Sequence, residues 1–148
     1  MDHITHNITR KDANRIIEHA FTKSHEIGSR PLGVVVVDAA GNVVSAQRDD
    51  GASMFRIDIG TAKAWSAIAI GTSTRQLARR AKANPNFFVS LASTSHGKFL
   101  PQPGGVLIKN AQGEVIGACG VSGSAIEHDE ACCVYGVEQA GFDLDNSE

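Results

Sequence analysis

Cysteine is scarce in this 148-residue chain, which contains three: Cys119, Cys132 and Cys133. The count is odd and no pair has the Cys-x-x-Cys spacing, so the sequence indicates neither a disulfide framework nor a zinc knuckle. We expect three small buried hydrophobic side chains in a reducing compartment. The alternative is a nucleophilic Cys119, because a thiol near a helix start ionises more readily.

Other features are also missing. The glycines do not follow the Gly-x-Gly-x-x-Gly spacing of dinucleotide-binding folds, and the Gly-Lys-Ser/Thr of phosphate-loop NTPases is absent. No apolar run approaches membrane-spanning length, so we expect no membrane partner. A net charge of −2 without a run of lysines and arginines argues against a nucleic-acid partner. The first six residues contain no apolar segment of the signal-peptide type, so we expect a cytoplasmic location.

The length and the content of 42% hydrophobic residues fit a single domain over residues 1–148, with residues 1–8 expected as a mobile tail. The apolar pattern predicts helices over residues 11–27, 57–71 and 74–83, and a last helix that ends at Gly141. It predicts strands over residues 32–38, 43–48, 106–109 and 114–119. Residues 87–91 are a short helix or strand, and residues 93–103 are a loop. Antiparallel hairpins with helices before, between and after them indicate an α+β fold of packed layers.

Residues 103–123 are the most informative segment, because they predict a hairpin followed by a glycine-rich turn into the last helix. Glycine lets another backbone or a ligand approach closely. Backbone N–H groups at the following helix start would face a bound anion. Ser124 and Glu127 have the spacing of a capping box at that start.

Several short motifs of the chain occur together in one known family. They are Asp38-Ala39-Ala40-Gly41, Arg48-Asp49-Asp50-Gly51, Ala62-Lys63-Ala64, Pro103-Gly104-Gly105, the glycine-rich segment 117–123, and Asp129 in the last helix. Together they resemble the GlcG/HbpS family, whose relatives also occur as the C-terminal domain of PduO-type proteins. The resemblance extends from the first helix to Gly141.

This resemblance implies a profilin-like α/β sandwich with a central antiparallel sheet, commonly assembled as dimers or octamers. Members of the family have been linked to haem binding or degradation, to corrinoid-related processes and to glycolate or diol catabolism. The chain departs from the family at Leu107, where members usually have proline, so the rim of the expected pocket differs here.

Two sets of residues are candidates for the site. The first would form a metal or acid/base cluster if the loop folds over the last helix: His96, His128, Asp129 and Glu130. The second would bind an anionic ligand: Arg48, Lys63, Gly104, Gly105, Gly120, Ser122 and Gly123. Structural alternatives remain for two of them. Lys63 would pair internally with Asp49, Asp50 or Asp58, and Asp129 would cap the glycine turn.

These observations support two functions of different kinds. The first is a cytoplasmic oligomeric protein, from dimer to octamer, that binds haem or another carboxylated small molecule; the cofactor is otherwise unknown. The second is a cofactor-independent enzyme of small-molecule catabolism, a lyase, isomerase or hydrolase, that uses the same pocket. An inert oligomeric scaffold is a third possibility. The sequence favours the ligand-binding protein and leaves enzymatic activity open.

Overall fold

The computed structural model describes residues 6–145, which form five α-helices and five β-strands. The helices are α1 (Arg10–Glu26), α2 (Phe55–Ile70), α3 (Thr74–Ala83), α4 (Pro85–Thr94) and α5 (Ile126–Gln139). The strands are β1 (Gly33–Asp38), β2 (Val43–Arg48), β3 (Gly105–Lys109), β4 (Val115–Ser122) and β5 (Asp143–Asp145). Among these residues no helix is both long and apolar enough to cross a membrane.

The five strands form one antiparallel sheet in the order β2-β1-β4-β3-β5. Side chains of a strand alternate between the two faces of the sheet. Val34 and Val36 of β1 therefore pack with α1 and α5, whereas Val35 and Val37 pack with α2 on the opposite face. This arrangement confirms the predicted α+β fold, in which helices flank a central antiparallel sheet.

The predicted mobile tail, residues 1–8, is too long. Residues 1–5 lie outside the described part of the chain. Ile8, however, is buried in the core and its backbone N–H donates to the carbonyl oxygen of Ile116 at 2.9 Å. The tail prediction is therefore wrong at Ile8, because that apolar side chain fills space against the sheet.

Three further local features differ from the prediction. Residues 85–94 form a helix that extends into the predicted loop, and a fifth strand pairs with the edge of β3. The capping box is absent, because Ala125 is the N-cap of α5 and makes no side-chain cap. The hydroxyl of Ser124 instead accepts from the backbone N–H of Arg30 and hydrogen-bonds His128.

Helix α2 lies unusually close to the sheet where two glycines face each other. A Cβ added to Gly120 on β4 would overlap the carbonyl oxygen of Gly60 on α2. One turn further along α2, a Cβ at Gly105 would stand 2.8 Å from the carbonyl oxygen of Lys63. The missing side chains thus let α2 approach the sheet and bring Lys63 over the end of β4.

Candidate ligand-binding site

A cavity of about 410 Å³ lies at the end of β4, between α2, the start of α5 and the segment that precedes β3. This volume is in the range of small-molecule sites. Its lining combines basic, apolar and small polar residues: Arg30, Arg56, Ile59, Lys63, Leu100, Gln102, Pro103, Ser122, Gly123, Ser124, Ile126 and Asp129. Of the residues predicted for the site, the cavity brings together Lys63, Ser122, Gly123 and Asp129.

Lys63 is the basic residue deepest in this wall, with 5% of its surface exposed. Its Nζ donates to the carbonyl oxygen of Val121 at 2.8 Å and to Oδ2 of Asp129 at 3.4 Å. The predicted ion pair with Asp49, Asp50 or Asp58 is therefore wrong. The side chain of Lys63 instead reaches β4 and α5, and Gly104 leaves room for it, since a Cβ at Gly104 would lie 2.8 Å from Nζ.

Asp129 joins the glycine turn to this lysine. Its Oδ1 accepts from the backbone N–H of Ser124 at 3.0 Å, which confirms the predicted cap of the turn. Burial raises the pKa of Asp129 and lowers the pKa of Lys63, and the attraction between the two opposes both shifts. Burial has the larger effect on both groups, so the pKa values of Asp129 and Lys63 move toward each other and the ionised forms of both are less favoured than in water.

Two arginines give the cavity its positive charge. Arg30 precedes β1 and Arg56 lies in the first turn of α2. Within residues 6–145 no carboxylate pairs with either of them. The Lys63–Asp129 pair has no net charge whether the shared proton is on the amine or on the carboxylate. The two guanidinium groups therefore give the cavity wall an excess of positive charge.

Sequence reasoning missed both arginines. Arg56 and Lys63 are seven residues apart, two turns of one helix, so this spacing placed them on the same face of α2. That signal was available in the sequence. Arg30 lies in a loop and carries no such periodicity, so its place at the cavity depends on the tertiary fold.

The four residues expected to cluster for metal or acid/base chemistry are dispersed. His96 is exposed after α4 with φ of 55°, and Glu130 receives two hydrogen bonds of 2.8 Å from Arg75. His128 contacts Ser124 through Nδ1 at 3.1 Å, so of these four residues Asp129 alone lines the cavity. No group of three His, Cys, Asp or Glu side chains within residues 6–145 is placed for a metal ion, so the predicted metal cluster is wrong.

The other predicted ligand-binding residues have different surroundings. Gly105 and Gly120 are paired across β3 and β4 and lie under α2, so their position serves close packing. Gly104 leaves room for the amine of Lys63. Arg48 ends the edge strand β2 and donates from Nη1 to the carbonyl oxygen of Ala52 at 2.8 Å, outside the cavity lining.

The cysteines are buried, as expected. The thiol of Cys133 donates to the carbonyl oxygen of Cys119 at 3.1 Å. Burial raises the pKa of Cys132 to about 12 and that of Cys133 well above its usual value. Cys119 has none of its surface exposed, so the alternative of a nucleophilic Cys119 is not supported.

The antiparallel sheet, the helices on both its faces and the cationic cavity define the class of this domain, an α+β domain with a cavity at one end of its sheet. The chain belongs to the HbpS-like family: residues 8–138 match the model of the family described as haem degrading protein HbpS-like.

The relatives and solved structures agree with this assignment. An uncharacterised 15.0 kDa protein from the dhaT–dhaS intergenic region of Citrobacter freundii is 32% identical, over 82% of this chain and 84% of its own. A crystal structure of a PduOC–haem complex superposes with a TM-score of 0.83 at 23% identity, over 95% of this chain and 99% of the other. A double mutant of HbpS from Streptomyces reticuli gives a TM-score of 0.79 at 26% identity, over 95% and 91%.

Proposed function

We propose that this protein binds a small carboxylated ligand in the cavity, with Arg30 and Arg56 holding its carboxylates. The observation that carries the proposal is that both guanidinium groups line the cavity without a carboxylate partner in the described chain. Arginine binds carboxylates through two parallel hydrogen bonds. Ser122 on the same wall adds a hydroxyl group for further polar contacts.

Haem is the ligand suggested by the family, and the cavity fits part of it. The two arginines match its two propionates, and Ile59, Leu100 and Ile126 offer an apolar surface to the porphyrin. Ile126 is 49% exposed, which an apolar ligand against it would reduce. When bound, haem would supply an iron centre. None of the lining residues is a His, Cys, Met or Tyr, the usual ligands of haem iron, so recognition here rests on the propionates.

The assembly and location of the protein belong to the same proposal. Large apolar side chains are exposed on the domain: Val43, Met54, Phe55, Phe87 and Val89. Such exposure supports a homo-oligomer, from dimer to octamer, because association would cover these side chains. Three unpaired cysteines support a reducing, cytoplasmic location.

One observation favours the enzyme as a second candidate. Lys63 and Asp129 form a buried pair on the cavity wall that can hold or release a proton next to a bound ligand. A lyase, isomerase or hydrolase needs a group of that kind. Roles in proton transfer for His96, His128 and Glu130 stay predictions.

Haemin titration followed by the Soret band tests the binding proposal. We expect saturable binding near one equivalent per chain, and about tenfold weaker binding in Arg30→Gln and in Arg56→Gln, since a hydrogen bond to a charged group contributes about 1.5–3 kcal/mol. Arg48→Gln is the matched control, because Arg48 lies outside the cavity lining. Equal affinity in all three variants and the wild type would contradict the proposed site. Weaker haemin binding in Arg48→Gln alone would instead place the carboxylate site at Arg48, at the end of β2.

A further inference from the structure

Anion binding alone does not require a buried lysine in the cavity wall. Two exposed or half-buried arginines already supply positive charge to the cavity, yet a lysine amine is buried on its wall. Removing an amine from water costs free energy. If this side chain served packing alone, an apolar residue would be more stable at the position. A desolvated lysine next to another cation is, in contrast, a typical activated amine nucleophile.

The neighbours of Lys63 suit reaction with a carbonyl group. Arg56 lies two turns earlier on the same face of α2, and its positive charge adds to the effect of burial in lowering the pKa of Lys63. Asp129 lies 3.4 Å from the amine, and burial keeps its carboxyl group protonated to a higher pH than usual. The cavity thus holds a nucleophile, a proton donor and an anchor for a carboxylate.

We propose that the amine of Lys63 forms a Schiff base with the carbonyl carbon of a small 2-oxo acid whose carboxylate is held by Arg30 and Arg56. This inference rests on the proposed function, since it uses the same carboxylate site, and it names the chemical class of one ligand.

The step needs no further reactant. The neutral amine of Lys63 attacks the carbonyl carbon, the carbon–oxygen π electrons move to oxygen, and that oxygen takes a proton from Asp129. The nitrogen then loses a proton to the carboxylate of Asp129. Asp129 then protonates the carbinolamine hydroxyl, which leaves as water while the carbon–nitrogen double bond forms, and the iminium nitrogen returns its proton to the carboxylate of Asp129. One amine and one carbonyl group give one imine and one water, and Asp129 regains its starting state.

Reductive trapping tests this inference on the intact protein. The protein is incubated with pyruvate or 2-oxoglutarate and sodium cyanoborohydride, and the modified lysine is located by peptide mass mapping. We expect one reduced adduct per chain, at Lys63 in preference to the other five lysines, because burial lowers the pKa of its amine and the cavity holds the oxo acid beside it. Lys63→Arg should abolish the adduct, and methyl pyruvate, which has no carboxylate, should give little of it.

Arg56→Gln should lower the yield at Lys63 about tenfold, whereas Arg48→Gln should leave it unchanged, if binding precedes the reaction. Absence of a Lys63 adduct with both oxo acids, or equal labelling of all lysines, would overturn the inference. The presence or absence of the Lys63 adduct is measured on the wild-type protein, so poor folding of a variant does not affect this outcome.

Failure of the Schiff base and failure of the carboxylate site are separable. Lactate has the carboxylate and lacks the carbonyl group, so its binding is measured in parallel by calorimetry. Lactate binding without trapping at Lys63 would overturn the Schiff base and leave the carboxylate site standing. Neither binding nor trapping would contradict both.

Discussion

Lys63 on α2 and Asp129 on α5 come within 3.4 Å of each other, although 66 residues separate them in the chain. The same side chain donates from Nζ to the carbonyl oxygen of Val121, at the end of β4. The pair therefore links a helix on one face of the sheet to a helix on the other. It also forms part of the cavity wall, so the packing of α2 decides the geometry of the site.

Gly120→Ala should destabilise the fold, because the new Cβ would overlap the backbone of α2 at Gly60, which no side-chain rotation relieves. We expect a loss of about 3 kcal/mol in the free energy of unfolding, at the upper end for overpacking. Urea denaturation measures it. Gln112→Ala in an exposed turn is the control and should change stability by less than about 0.5 kcal/mol. A Gly120→Ala protein as stable as the control would mean that α2 does not lie this close to β4.

Asp129→Asn should change how stability depends on pH. Burial raises the pKa of Asp129 in the folded protein above its value of 3.8 in the unfolded chain. Between these two pH values the folded protein holds a proton that the unfolded chain has lost, so this group makes stability fall as pH rises. Asparagine does not titrate, so the free energy of unfolding of the variant minus that of the wild type should rise with pH through this window and then level off.

Denaturant unfolding at a series of pH values above 3.8 gives that difference. A difference that falls as pH rises would mean that Lys63 outweighs burial and lowers the pKa of Asp129. Asp50→Asn, at an exposed position, is the control for the loss of one carboxylate charge.

The ion pair between Arg75 and Glu130 is expected to contribute to stability. Both oxygens of the buried Glu130 accept from the guanidinium group at 2.8 Å. Arg75→Ala would leave a buried carboxylate without its partner, at a cost of about 3 kcal/mol. Arg15→Ala, which removes an exposed pair with Asp12, should cost at most about 0.5 kcal/mol. Thermal unfolding of the two variants measures both losses of stability. Equal losses would show that the Arg75–Glu130 pair contributes no more than an exposed surface pair.

The three thiols should be unreactive in the folded protein. Burial holds the pKa of Cys132 at about 12 and raises that of Cys133, so little thiolate is present near neutral pH. Reaction with Ellman's reagent should be slow until denaturant is added and should then release three equivalents. A thiol that reacts within seconds in the native protein would restore the possibility of a nucleophilic cysteine.

The fold was largely predictable because it depends on local patterns. The valine run of β1 indicated a strand buried on both faces, and the structure buries it so. The short strand β5 was missed, since a segment of three residues, Asp-Leu-Asp, is too short for an alternating pattern to be recognised. The capping box failed because the hydroxyl of Ser124 has partners from Arg30 and His128, contacts that only the tertiary structure creates.

The site was predictable in part. A lysine in an apolar helix indicated a buried cation that needs a partner, and Lys63 is one. Its partner Asp129 was singled out for another reason, and sequence separation hid their contact. Arg30 had no pattern to reveal it, because a loop residue reaches a cavity only through the packing of other elements.

Comparison of haemin with its dimethyl ester tests the central claim most directly, because esterification removes both carboxylates and leaves the porphyrin and iron. The dissociation constants are measured for the wild-type protein and for the Arg30→Gln/Arg56→Gln double variant. We predict that the wild type binds haemin at least about 100-fold more tightly than the ester, since each of two lost charged hydrogen-bonding groups costs about tenfold. We also predict that the double variant binds both equally. Equal binding of haemin and ester by the wild type would contradict carboxylate recognition by Arg30 and Arg56.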